Sequence, residues 1–401
     1  MSGKLNILFI CNKSPWPPSE GGPIAMNNLI EGTLLAGHKV KVLAINTNKY
    51  NIDPKNIPEN YKNETGIELV YIDLGIKPVN AFLNLFTGKS YHVERFISNS
   101  FREKLKEVLS NQKYDIVQIE TLFMSPYINT IQEFSKASIV LRAHNIEHLI
   151  WKRVALITKN PLKKAYLNHL ANTLEVYEKN VLNEYDGIIP ISTKDEDFFK
   201  SESIKPVKTI SFGVNTSKLE NTKSGKSKNA LFHIGAMNWI PNEEGIRWFL
   251  DKVWPKVITE LPDLELFLAG REMPDWLTNL KLKNVIVVGE VPDAYEFINS
   301  YAISIAPLFS GSGIRIKIIE SMALGKAVIS TTIGAEGIDY TIGKNILIAD
   351  DANSYVNAIK KLYNNDDLCN SIGRNAHALI FEKHNNSKLI EKMIGFYREI
   401  L

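Results

Sequence analysis

Between Ala306 and Thr332 the chain reads APLFSGSGIRIKIIESMALGKAVISTT, and this run concentrates residues able to do chemistry. Gly311, Ser312 and Gly313 lie between an apolar strand expected over Ala302–Pro307 and a helix expected over Ile314–Leu324. Arg315 and Lys317 fall in the first turns of that helix, and Glu320 lies further along it. Gly325 then precedes a second apolar strand, Ala327–Ser330. Amides at a helix start, freed by flanking glycines and backed by Arg and Lys, suit a phosphate or diphosphate. An acid on the same helix suits ribose hydroxyls, which would donate to it. The spacing points to a nucleotide. The plain alternative is an ordinary turn whose glycines only make room.

Three other segments carry candidate residues. Asn12–Pro23, NKSPWPPSEGGP, follows the first strand and leads into a helix with Pro23 near its first turn. Gly21 and Gly22 would let a ligand approach the backbone closely there, unless the segment is a plain surface loop. His144 stands at the carboxyl end of a strand expected over Ile139–Ala143, the sheet edge where active sites collect. A structural histidine is its alternative. His144-Asn-Ile-Glu-His148 also fits the formal zinc pattern H-x-x-E-H. That pattern needs both imidazoles on one helix face, yet His144 ends a strand and no third ligand stands out, so zinc hydrolysis is disfavoured. Trp151–Leu170 holds five Lys/Arg and no Asp/Glu. It reads as a solvated helix face, or as a surface for anionic lipid or a lipid-diphosphate acceptor.

The elements that must position these residues come in two series. Strands are expected at Leu5–Cys11, Val40–Ile45, Ile67–Ile72, Ile116–Ile119, Ile139–Ala143 and Gly187–Ile191. Helices alternate with them at about Ile24–Leu35, Ser100–Ser110, Met124–Phe134 and Lys163–Leu182. Continuous Ile/Val/Leu runs fit parallel strands covered on both faces, a doubly wound α/β pattern. Asn215–Asn229, NTSKLENTKSGKSKN, is polar and reads as a linker. A second series follows, with strands at Ala230–Ile234, Glu265–Ala269, Val285–Val288, Ala302–Pro307, Ala327–Ser330 and Ile346–Ile348. Its helices include Asn242–Ile258, Ala294–Ser300, Ile314–Leu324, Ala352–Tyr363 and Asp366–Lys383, before an amphipathic end at Ser387–Ile400. The domains expected are residues 1–215, a linker 216–229, and 230–386, with a ligand cleft between them.

Composition narrows the class. A net charge of +3 over 401 residues gives no argument for a nucleic-acid partner. Cys11 and Cys369 form no metal-type spacing and no disulfide framework, which fits a reduced, cytoplasmic setting. The first apolar run is too short for a signal peptide and lacks a small-residue cleavage site. No apolar run reaches the ~18 residues of a spanning helix, so any membrane contact is expected to be peripheral, at the inner face.

The motifs from Glu320 onward resemble the donor-binding signature of retaining glycosyltransferases of family four, which share the two-domain GT-B fold. Glu320-Ser-Met-Ala-Leu-Gly-Lys-Ala-Val-Ile and Gly334-Ala-Glu-Gly337 carry the match. The resemblance implies two Rossmann-like doubly wound domains and a central cleft. It implies transfer of a sugar from a UDP- or GDP-linked donor to a glycan or lipid-linked acceptor, with retention, no required cofactor and no metal. By that match Glu320 binds the ribose, and the amides of Ser312, Gly313 and Ile314, beside Gly311, meet the diphosphate. Gly235 and the loop Gly289–Val291 fall at donor-binding places, the latter reading the base. Gly22, then Gly21, faces the donor phosphates, and His144 approaches donor sugar and acceptor. Ser387–Leu401 is similar to a tail helix that returns to the first domain.

Two departures matter. The family's first motif glutamate would fall at Ser312, and the usual Arg and Lys after the first strand of the second domain are missing from Ile234–Gly245. Arg315 and Lys317 are expected to replace that pair. A nonhydrolysing nucleotide-sugar epimerase and a non-catalytic nucleotide-sugar-binding partner subunit are the alternatives. An oxidoreductase is disfavoured because Gly-x-Gly-x-x-Gly is missing after the first strand.

Overall fold

The computed structural model of the chain describes residues 3–18, 21–48, 51–75, 84–215, 227–311 and 314–401. Ser312, Gly313 and linker positions 216–226 lie outside the described residues. The chain divides into two units, Met1–Gly213 with Asn386–Leu401, and Val214–Asn385.

The first unit is built on strands β1 (Asn6–Cys11), β2 (Lys39–Thr47), β3 (Glu68–Ile72), β4 (Ile116–Glu120), β5 (Ser138–Ala143) and β6 (Gly187–Pro190). They form one parallel sheet in the order β3-β2-β1-β4-β5-β6. Both faces are covered, which is why its strands read as unbroken apolar runs. Ile7, Phe9 and Cys11 of β1 pack with Met26, Leu29 and Ile30 of the helix Gly21–Leu35, and with Ile390, Met393 and Phe396 of the C-terminal helix Asn386–Ile400. Leu8 and Ile10 point the other way, toward Phe101, Leu105, Tyr127 and Leu174.

The second unit repeats the plan. Strands β7 (Lys228–Ile234), β8 (Leu266–Ala269), β9 (Val285–Gly289), β10 (Tyr301–Ala306), β11 (Ala327–Ser330) and β12 (Leu347–Ile348) pair in parallel as β12-β11-β10-β7-β8-β9. Counted from β7, this is the first unit's order again. Leu231, Leu266, Ile303 and Ile329 pack under Ile246, Phe249, Trp254 and Tyr355 on one face, and Phe232 and Ala269 meet Phe297 and Ile298 on the other.

Two expectations are corrected. The helix expected at Asn242–Ile258 is a composite of Ile240–Trp248, a π-helical turn Phe249–Val253 and Trp254–Glu260. Pro255 has no amide to bond Asp251, and the Trp254 amide reaches back to the Phe249 carbonyl instead. A helix Glu147–Ile157, not foreseen, follows β5 and precedes a long helix Pro161–Val181.

Candidate functional site

In a sheet of this order the crossovers leave to opposite sides at β1/β4 and at β7/β10. Ligands lodge outside the carboxyl ends of the strands at such points. Both places in this chain hold clustered charge.

In the second unit, β7 delivers His233 and β10 leads through residues 307–315 into the helix Ile316–Ala323. His233 is buried, and its Nδ1 lies 2.9 Å from the Ile305 carbonyl. Nδ1 must therefore carry the proton, which leaves Nε2 as an acceptor 3.4 Å from Lys317 Nζ. The Asn242 amide is oriented the same way: Nδ2 donates to the Ala236 carbonyl at 2.8 Å, so Oδ1 accepts from Lys317. Burial, and then the Arg315 charge, hold the Lys317 ammonium well below its usual range. Burial and Lys317 likewise depress His233.

Arg315 is 5% exposed, and its guanidinium carbon lies 5.4 Å from the centre of the Trp239 ring. Gly311 (φ +97) passes between them; a Cβ there would come within 3.0 Å of the Trp239 ring and 3.1 Å of Arg315. The strand ends are equally close-set. A Cβ on Gly270 would overlap the Gly235 carbonyl, and one on Gly235 would meet Asn242 and Lys317. The Gly270 amide donates to the Gly289 carbonyl at 2.8 Å. Gly235, Gly289, Gly311, Arg315 and Lys317 are thus brought to one sheet edge, while Val291 packs near Phe232 and Ala269. One turn beyond Lys317, Glu320 accepts from the Tyr295 hydroxyl at 3.3 Å, and burial raises its carboxyl to about 7.

Three details differ from the sequence reading. The helix starts at Ile316, so Arg315 is its N-cap residue and Ile314 lies before it. The cap replaces a first turn because Arg315 has extended dihedrals, φ −89 and ψ 95. Arg315 is buried, and Lys317 is held by Asn242 and His233. Gly21 and Gly22 open the helix Gly21–Leu35 rather than lie in a loop. A Cβ on Gly22 would meet Lys13 Cε at 2.9 Å, so this glycine makes room for a lysine the sequence reading passed over.

In the first unit, Glu120 ends β4 and is directly opposite Arg142 of β5. Both are essentially inaccessible. His144 Nε2 lies 2.6 Å from Glu120 Oε2, and Arg142 Nη1 lies 3.5 Å from the same oxygen. Burial pushes the Glu120 carboxyl up, but Arg142 and His144 outweigh it and hold it below the usual range. His144 is depressed by burial despite Glu120. A neutral His144 beside a carboxylate donates through Nε2 and keeps Nδ1 as an acceptor. Behind this pair, Tyr397 donates to Gln118 Oε1, and Gln118 Nε2 donates to Glu120 Oε1. His148 faces a different acid, with Nδ1 2.6 Å from Glu178 Oε2, while that carboxylate also accepts the Glu147 and His148 amides. The two histidines of the H-x-x-E-H run therefore serve separate partners.

His233, Asn242, Trp239, Tyr295, Lys13, Glu120 and Arg142 complete these clusters. The signal for the buried ones was polar residues inside apolar strand text: ALFHI, IVQIE and IVLRA.

Comparison with known proteins places the second unit. Residues 228–365 match the family model described as Glycosyl transferases group 1. A 44.6 kDa uncharacterized protein in the cps region of Klebsiella pneumoniae is 25% identical over 400 residues, covering 96% of this chain and 98% of its own. Sucrose-phosphate synthase from Thermosynechococcus elongatus superposes with TM-score 0.71 at 16% identity, over 98% of this chain and 99% of that one. Anabaena HepE in complex with UDP superposes with TM-score 0.65 at 13% identity, over 98% and 100%. The likeness to GT-B glycosyltransferases carried by Glu320–Ile329 and Gly334–Gly337 is shown by this family match and this fold.

Proposed function

We infer, for a GT-B chain whose second unit matches the group 1 glycosyltransferases, that the enzyme moves a sugar from a UDP-linked donor to a glycan or lipid-linked acceptor. The observation that carries this reading is the Lys317–Asn242–His233 cluster with Arg315, at the sheet edge where the donor domain matches its family. The cps-region relative supports a role in capsule-type polysaccharide assembly. HepE, which shares the fold, was determined with UDP, and this supports the base.

The proposed chemistry follows from the groups present. The acceptor hydroxyl oxygen bonds to the donor anomeric carbon as the bond from that carbon to the β-phosphate oxygen breaks. The acceptor proton ends on the departing diphosphate. Charge grows on that diphosphate, where Arg315, Lys317 and the amides around Gly311 and Ile314 would stabilise it. This proton path keeps the incoming and leaving oxygens on one face, so the configuration is retained and no metal is needed. Glu320 would accept from the ribose hydroxyls. His144, held by Glu120, would present Nδ1 to an acceptor or donor hydroxyl.

A thermal-shift series with UDP, GDP and their glucose esters tests the assignment. UDP compounds should raise the melting temperature of the wild type and not of Glu320→Ala/Lys317→Met. Absence of stabilisation by any nucleotide would overturn the reading.

A further inference from the structure

Helices Glu147–Ile157 and Pro161–Val181 form a hairpin whose tip has no use in the chemistry above. Its seam is closed by Ala155, Leu167 and Leu170, packed with Tyr91, Trp151 and Val154. Three large aliphatic side chains are left outside that seam: Leu156 is 71% exposed, Ile157 74% and Leu162 83%. They sit together because residues 157 and 162 flank the turn. Arg153, Lys159, Lys163 and Lys164 lie within a few residues of them in sequence, and no acidic residue occurs between Glu147 and Glu175. At the base of the hairpin, Glu175 pairs with Lys152 at 2.6 Å and with Lys179 at 3.5 Å, and Glu202 pairs with Lys179 at 2.9 Å.

Solvated helix faces carry charges of both signs and few aliphatics. A tip with exposed Leu and Ile in a segment whose charges are all cationic has the chemistry of a bilayer interface. Apolar side chains enter the acyl boundary and ammonium groups meet anionic headgroups. No described helix is long and apolar enough to cross a membrane, so this contact would be peripheral. We propose that this hairpin tip docks the protein on an anionic lipid bilayer.

The placement is consistent with the chain path. The first helix leaves the carboxyl end of β5, and the second returns toward the amino end of β6. The returning helix, 21 residues, is about 31 Å long, whereas six-residue β5 is about 20 Å. A helix longer than the strand beside it can carry the tip past the carboxyl edge of the sheet. That is the edge bearing His144, so a docked tip brings the acceptor-facing edge toward lipid. The docking itself does not depend on the sugar-transfer reading.

Co-sedimentation with phosphatidylcholine vesicles, with and without phosphatidylglycerol, tests the proposal. The wild type should sediment with the anionic vesicles and stay in solution with the neutral ones. Leu156→Asp/Ile157→Asp/Leu162→Asp and Lys159→Glu/Lys163→Glu/Lys164→Glu should each lower partitioning about tenfold or more. All six positions are on the surface, and unchanged circular dichroism and UDP binding would show that the variants fold. As an independent readout, Leu156→Trp should shift its fluorescence to the blue with anionic vesicles. Equal sedimentation of wild type and variants would overturn the proposal, as would equal binding to neutral vesicles. So would a lipid-free dimer abolished by the aspartates, which would assign the patch to a second copy of the chain.

Discussion

Lys317 and Glu320 lie three residues apart on one helix and depart from their ordinary values in opposite directions. Burial and Arg315 lower Lys317, and burial raises Glu320 to about 7. Each shift disfavours the form a nucleotide would need: ammonium for the diphosphate, carboxylate for the ribose. Binding should therefore drive a proton onto Lys317 and off Glu320. The signs give two limbs. Ionisation of Glu320 as pH climbs toward about 7 raises affinity, whereas loss of the Lys317 proton as pH climbs lowers it. UDP-glucose is the suitable ligand for calorimetry, because its diester diphosphate does not titrate in this range. Glu320→Gln should flatten the rising limb and Lys317→Met the falling one; a pH-independent wild type would refute the coupling. Arg315 has a simpler expectation. Its charge is buried beside Gly311 and Trp239, so Arg315→Ala should cut kcat by ~10² or more. A kcat near the wild-type value would remove it from the mechanism.

At the level of elements, the first unit's cluster is a product of strand register. Pairing β4 with β5 sets Glu120 opposite Arg142, and two residues after Arg142, just past the end of β5, comes the imidazole that Glu120 holds. Glu120→Gln would leave the Arg142 charge buried without a counter-charge, a change that costs about 3–5 kcal/mol in such settings. The expected result is a lower urea midpoint together with a further drop of the His144 titration, followed by NMR. A lowered midpoint with an unmoved His144 would mean that Glu120 is structural only. The same register explains what the sequence could and could not show. Strand text such as NILFIC and AISIA is legible because parallel strands are apolar on both faces. Arg315, Lys317 and Glu320 are legible because one helix carries them all at near spacing. Glu120 and Arg142 are 22 positions apart, and only cross-strand pairing joins them. His233 and Asn242 are ordinary letters until Lys317 reaches them both from the helix that follows β10. The helix Glu147–Ile157 was missed because its start is made by Glu178, a carboxylate 30 residues away that accepts the His148 amide.

Across the whole molecule, one plan is used twice, and the chain then returns to its first unit. It leaves that unit at Gly213 and re-enters at Asn386. The two points are fastened by one side chain each way: Asn28 Nδ2 donates to the Gly213 carbonyl at 2.8 Å, and Asn386 Nδ2 to the Asn28 carbonyl at 2.7 Å. The returning helix buries Leu389, Ile390, Met393, Ile394, Phe396 and Tyr397 against the first sheet. At about 1.5–3 kcal/mol for each such side chain, the helix contributes on the order of 10 kcal/mol. That is comparable with the entire stability of an ordinary domain, about 5–15 kcal/mol. Its Tyr397 also starts the hydrogen-bond chain that ends at Glu120. A chain stopped after Asn385 should therefore lose the first unit while keeping the second, whose core clusters, among the described residues, include none from this helix. Limited trypsin digestion would then leave a resistant fragment near residues 214–385 that still gains stability from UDP, with residues 3–213 degraded. If the first unit of the truncated chain resisted trypsin as well as the full-length protein does, the helix would be an accessory. The fold would then stand on its two sheets alone.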